Sequence, residues 1–181
     1  MSNLSAATGT WVIDPTHTSL GFSARHAMVA KVRGTFGEFA GSFTIDGDNL
    51  AASTAEVTIQ VASIDTKTAD RDAHLTSPDF LDAETFPTIT FVSTAVAPKG
   101  DDVVITGDLT IHGVTKSVEI EYEFVGISQD PWGQTKIGFE GSTKISRKDF
   151  GLTWNAALET GGVLIGDEIK LNLDVEATKQ A

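Results

Sequence analysis

Four histidines, His17, His26, His74 and His112, are the side chains of this sequence best suited to proton transfer or metal binding, and they stand among twenty-five carboxylates. None of them has the i,i+4 or His-x-His spacing that brings two imidazoles to one ion, and with no cysteine a thiolate site is excluded. No metal and no cofactor is therefore expected. Asp14, His17 and Ser19 are the residue types of a nucleophilic triad. Alternate strand positions point to opposite faces of a sheet, however, and no nucleophile elbow accompanies them. The glycine-rich run 161–166 opens no helix, so it lacks the dipole that a phosphate loop uses. Asp70 and His74 are four apart and share one side of a helical turn, with Arg71 and Leu75 on the next row. Either His26 or His74 could act as general base on an amphipathic substrate, but no spacing assembles a catalytic group around them.

The elements that must position these groups are almost all strands. Residues 68–84 are the exception and read as a short helical cap. Ser77-Pro78 restarts the helical turn, and Pro87 forces Phe86 out of the helical region and into an extended run. Period-two alternation marks strands near 10–14, 17–26, 32–46, 56–61, 88–96, 102–112, 116–125, 135–145 and 167–177. The run 116–125 is the clearest, with Val118, Ile120, Tyr122 and Phe124 opposing Ser117, Glu119, Glu121 and Glu123. Short connections make the strands antiparallel. About eight half-polar strands, punctuated by glycine, favour closure over an open sheet, because closure removes unpaired edges. The expected fold is an all-β, eight-stranded antiparallel barrel with a helical cap. Residues 10–178 form its single domain, and residues 1–9 are a flexible tail.

Composition agrees with one such domain. The chain has 181 residues, 40% of them apolar, enough for a substantial core. It shows no secretory signal and no apolar run long enough to span a membrane, which points to a cytoplasmic protein without stable membrane insertion. A net charge of −12 repels nucleic acid and anionic lipid surfaces alike.

An eight-stranded barrel either fills with side chains or holds one small ligand, so its inward face decides the function. Here that face carries Phe22, Phe36, Phe39, Phe43, Phe91, Tyr122, Phe124 and Phe139, with Gly41, Gly107 and Gly141 expected to leave volume. A filled core would use the same residue types.

The ordered motifs resemble the YceI-like family. They are Trp11-Val12-Ile13-Asp14 with His17, Phe22 with Arg25-His26, Gly34-Thr35-Phe36, and Ser63-Ile64-Asp65-Thr66. Arg71-Asp72-Ala73-His74-Leu75, Phe80, Phe86-Pro87, Phe91, residues 107–116 and residues 147–151 follow. The resemblance implies a lipocalin-like barrel around one long isoprenoid or fatty chain, often in a homodimer. Many relatives are exported, whereas this sequence starts without a leader. Phe150 and Trp154 join the barrel aromatics as expected ligand contacts, Trp154 as a lid or a dimer contact. Arg25, His26, Arg71 and His74 are candidates for a head group at the mouth. Against that, Arg71 and Asp72 could form a structural ion pair with neighbouring strands, His26 could be a core histidine, and His17 could bond to the backbone beside Asp14-Pro15. His112 reads as structural.

The leading expectation is a carrier, storage or sequestering protein for a prenyl quinone or prenyl phosphate type of lipid. Its alternatives are an enzyme acting on an amphipathic substrate inside the barrel and a stress-related interaction protein with a filled barrel.

Overall fold

Alternation of apolar and polar residues is realised as eleven antiparallel strands in the computed structural model, which describes residues 3–181. In chain order they are β1 (Gly9–Ile13), β2 (Ser19–His26), β3 (Ala30–Phe36), β4 (Phe39–Ile45), β5 (Thr54–Gln60) and β6 (Ile64–Asp65). The helix α1 (Ala69–Thr76) follows, and then β7 (Thr88–Lys99), β8 (Asp102–Ile111), β9 (Val114–Gln129), β10 (Thr135–Ser146) and β11 (Ile165–Lys179).

Eight strands close the ring in the order β1-β4-β5-β7-β8-β9-β10-β11, with β11 returning to β1. The other three extend half of it. β1 and β2 lie end to end along one edge of β11, Ile13 opposite Ala177 and Ser19 opposite Asp174. β3 and β4 in turn line β2 and β1, and β6 and β5 line β3 and β4. The first six strands are thus three long strands, each bent once, and the barrel is an eight-stranded meander with a corner in three staves. The run expected at 32–46 is one of these, broken at Gly37-Glu38.

The bends are stitched across the sheet. Gly37 N–H donates to the Ser63 carbonyl, Gln60 N–H to that of Glu38, and Asp14 N–H to that of Glu176. Beyond the corner β6 has no partner in β7 among the described residues, and α1 with the turns after it covers this place. Leu75, Leu81 and Ala83 pack there on Val61, Ile64, Ile89 and Phe150.

The flexible tail expected at residues 1–9 needs correction within the described residues; residues 1 and 2 lie outside them. Residues Asn3–Ala7 form a 3-10 turn that buries Leu4 and Ala7, and the Trp11 indole N–H donates to the Ala7 carbonyl at 2.8 Å. Trp11 is itself fully buried, so burial of its ring at the barrel end depends on this turn for a partner to its one polar atom.

A second correction concerns the glycines. Gly107 and Gly141 were expected to leave room for a ligand. A Cβ at Gly107 would strike the Phe91 ring and one at Gly141 the Tyr122 ring, while Gly41 is crowded by Ile13 and Val57. The missing side chains let aromatic rings lie flat along the wall, and the rings take up the space.

Candidate functional site: an apolar cavity in the barrel

Residues of β2, β4, β5, β7, β8, β9, β10 and β11 surround a cavity lined by Leu20, Phe43, Val57, Phe91, Val96, Val103, Ile105, Tyr122, Phe139 and Val175, with Leu4, Leu50 and the hydroxyl residues Ser42, Thr44, Ser53 and Thr54. The cavity measures about 100 Å³ and opens to solvent. Several inward residues around it, among them Phe43, Val57, Phe91, Ile105 and Val175, are only half-buried although they point away from the barrel's exterior.

Tyr122 is the one titratable side chain in this lining. Burial alone pushes its phenol above the ordinary range, with no hydrogen bond contributing. Its ring is fixed from two sides, flat against Gly141 and edge-on to Phe139 with centroids 6.4 Å apart. Phe139 also packs edge-on to Phe43 at 5.9 Å and tilted to Phe124 at 5.6 Å. The Tyr122 hydroxyl faces the cavity, where a water or a ligand can satisfy it. Chemically the site can enclose an apolar chain and offer it hydrogen bonds from Tyr122 and a few Ser and Thr hydroxyls.

Of the residues singled out in the sequence, Phe43, Phe91, Tyr122 and Phe139 line the cavity. Phe124 supports Phe139 from behind, and Phe39 is buried with Ile13 and Leu20. Phe22 and Phe36 form a tilted pair at 5.7 Å near the capped end, and Phe150 is fully buried beneath the cap.

The proposed mouth residues do not line the cavity. Arg71 Nε donates to Thr66 Oγ1 at 2.8 Å and Nη2 to the Thr66 carbonyl at 2.7 Å, while Asp72 accepts from the Thr66 N–H and hydroxyl. They brace the start of α1 through Thr66, in place of the ion pair with neighbouring strands that was considered. His74 Nε2 lies 2.9 Å from Asp79 Oδ2, and its ring meets Phe80 and Trp154 at 4.9 and 4.7 Å, a latch on the outer side of the cap. His26 is exposed at the end of β2, which corrects its reading as a core histidine. His112 packs on Phe86 and its Nδ1 lies 3.3 Å from the Phe150 carbonyl.

His17 sits at the barrel corner and bonds mainly to a carboxylate, where a backbone partner was expected. Its Nδ1 is 3.0 Å from Asp14 Oδ2 and 3.5 Å from Glu176 Oε1. Asp14, His17 and Glu176 are the one group of three metal-type ligands within reach of one another among the described residues. The Lys136 ammonium, 3.5 Å from Asp14 Oδ2, already supplies a positive charge there. Hydrogen bonds from Thr16 and His17 hold the Asp14 carboxyl well below the usual range, and Asp14 with Glu176 raises the His17 imidazole.

Reasoning from aromatics missed the aliphatic lining, Leu4 above all, which lies in the segment expected to be a tail. Alternation marks Val103, Ile105 and Val175 as inward, but a period of two does not separate cavity wall from packed core. The buried Arg147 was missed as well. Its guanidinium donates to the carbonyls of Gly166, Leu152 and Trp154, tying the loop behind the cap to the start of β11.

Three comparisons bear on this site. The YceI-like domain profile matches residues 11–177. Protein YceI of Escherichia coli is 43% identical over 164 residues, which cover 91% of this chain and 83% of that protein. Among solved structures, BcnA of Burkholderia cenocepacia superposes with a TM-score of 0.78 at 27% identity, covering 92% of this chain and 99% of BcnA. A polyisoprenoid binding domain from Saccharophagus degradans shares the fold at a TM-score of 0.71 and 14% identity, covering 94% of this chain and 98% of that domain.

Proposed function

Since the chain belongs to the YceI-like family, we propose that its barrel takes up one long isoprenoid or related lipid and acts as a carrier, store or sequestering protein without catalysing a reaction on it. The observation that carries this reading is the lining of the cavity. It is apolar throughout apart from a few hydroxyls, and Tyr122 is its one titratable group. A general acid or base has no representative there, because each histidine is placed at the cap, the corner or the outer surface. The polyisoprenoid binding domain with the same fold supports the choice of ligand class.

Burial of apolar chain accounts for affinity without many polar contacts. Each methylene removed from water contributes about 0.8 kcal/mol, so a prenyl chain of several units has ample gross energy after the cost of ordering it. The cavity's 100 Å³ lies below the roughly 300–1,000 Å³ of typical small-molecule sites. Taking up a long chain therefore requires the lining to open further, and the half-buried Phe43 and Phe91 are the rings placed to make room.

Native mass spectrometry of protein incubated with a prenyl quinone tests this. One lipid per chain is expected, and it should be displaced by excess of a second prenyl lipid. Only the bare polypeptide mass under conditions that preserve folded protein would sink the proposal.

A further inference from the structure

We infer that the β2–β3 hairpin is a docking surface for an anionic lipid bilayer, a patch where the chain's negative charge is locally reversed. This deepens the lipid-binding reading and rests on it for its biological sense, although the surface is defined independently of the cavity.

Between Ser19 and Gly37 the sequence has no carboxylate, while Arg25, Lys31 and Arg33 are all exposed. Register brings them together. Arg25 pairs directly with Lys31, and Arg33 is opposite Ser23, whose other neighbour on β11 is the exposed Lys170. None of these four cations has an ion-pair partner among the described residues, in a chain of net charge −12. Like charges placed directly across a ladder destabilise it, so a hairpin built this way is matched to an anionic partner. Of the acids on the adjoining strands, Asp167 and Glu168 are engaged by Arg147, Lys148 and Lys144, and Asp65, opposite Thr35, by Lys67. Glu159 is the one carboxylate on the loop beside the tip.

The tip adds an apolar component. Met28 and Val29 are 61% and 83% exposed, and Val163 on the neighbouring loop is 39% exposed. Ala27 and Met28 hold positive φ values of 49° and 67°, where glycine or asparagine would be less strained. Exposed apolar side chains rimmed by cations match the interfacial region of an anionic membrane, where each Lys or Arg near the surface favours binding about fivefold. Ile169, Leu171, Leu173 and Val175 form a half-buried inward row along β11, which leads from this end of the barrel to the cavity.

The test is sedimentation with vesicles of phosphatidylcholine alone and of phosphatidylcholine mixed with phosphatidylglycerol, at low and high salt. The wild-type chain is expected to bind the anionic vesicles at low salt, to leave them at high salt, and to ignore the neutral ones. Lys31→Glu should lower that binding by about tenfold or more. It also creates an ion pair with Arg25, so its thermal unfolding should not fall and lost binding cannot be put down to lost folding. Lys116→Glu, on exposed β9, makes the same change in net charge, and Trp132→Ala removes the exposed tryptophan at the opposite end. Both should bind like wild type.

No binding to anionic vesicles, equal binding by Lys31→Glu, loss of binding with Trp132→Ala, or a preference of the hairpin for duplex DNA would each overturn the inference. Prenyl retention is measured on the same samples by native mass spectrometry. Vesicle binding without a retained prenyl lipid supports the docking surface and sinks the lipid-carrier reading. A retained lipid without vesicle binding does the reverse.

Discussion

Tyr122 concentrates the residue-scale argument. Its ring is locked by Gly141 and Phe139, burial pushes its phenol up, and its hydroxyl faces the cavity. Tyr122→Phe keeps the ring and removes the hydroxyl. The ligand-free variant is expected to unfold within about 1 kcal/mol of the wild type, while its affinity for a prenyl quinone falls and that for a plain hydrocarbon does not. Calorimetric unfolding and competition binding check the two halves. Gly107→Ala tests the ring-over-glycine arrangement. The added methyl meets Phe91 and a backbone carbonyl, so a loss of about 1–3 kcal/mol is expected in denaturant unfolding. Alternation in the sequence was enough to place Tyr122, Phe91 and Phe139 on the inner face. It did not show that the glycines receive rings, because the partner of Gly141 is set by strand register, which no local pattern reveals.

At the scale of elements, the bent staves were only partly legible. Residues 32–46 read as one strand because the alternation continues through Gly37-Glu38, and the bend depends on contacts with Ser63 from another strand. The cap was legible, since Ser77-Pro78 and Phe86-Pro87 are local signals, but the fastening of Arg71 to Thr66 and of His74 to Asp79, each only five residues apart, depends on turn geometry that residue types do not disclose. The corner cluster makes a prediction about pH. Asp14 and Glu176 raise the His17 pKa above its unfolded value. This contribution is complete below the unfolded pKa and is lost as pH rises through the folded one. Asp14 has the opposite sign. Its depressed pKa gives stability that is present above the ordinary carboxylate value and disappears only as pH falls through the lower folded one. In a proton NMR titration the His17 ring should titrate above the ordinary imidazole range, and Asp14→Asn should bring it back down. An unchanged midpoint in that variant would refute the coupling.

For the molecule as a whole, the fold class followed from the alternation and from the need to remove sheet edges, whereas the uneven placement of charge did not follow from the total. A net charge of −12 averages over a hairpin that carries only cations, and the cross-strand neighbours that gather Lys170 to Arg33 exist only after closure. Closure has one more result. Neighbouring staves follow one another in sequence all the way round, except at the seam where the first meets the last. There Trp11 stands opposite Lys179, and Gln180 N–H donates to the Thr10 carbonyl. The first and last strands of the ring therefore lie side by side, and the ring itself has no preferred starting point. A circular permutant, with β11 joined to β1 by a short linker across that seam and the chain opened at the exposed Gly100 turn, should fold to the same cylinder and keep the same guest.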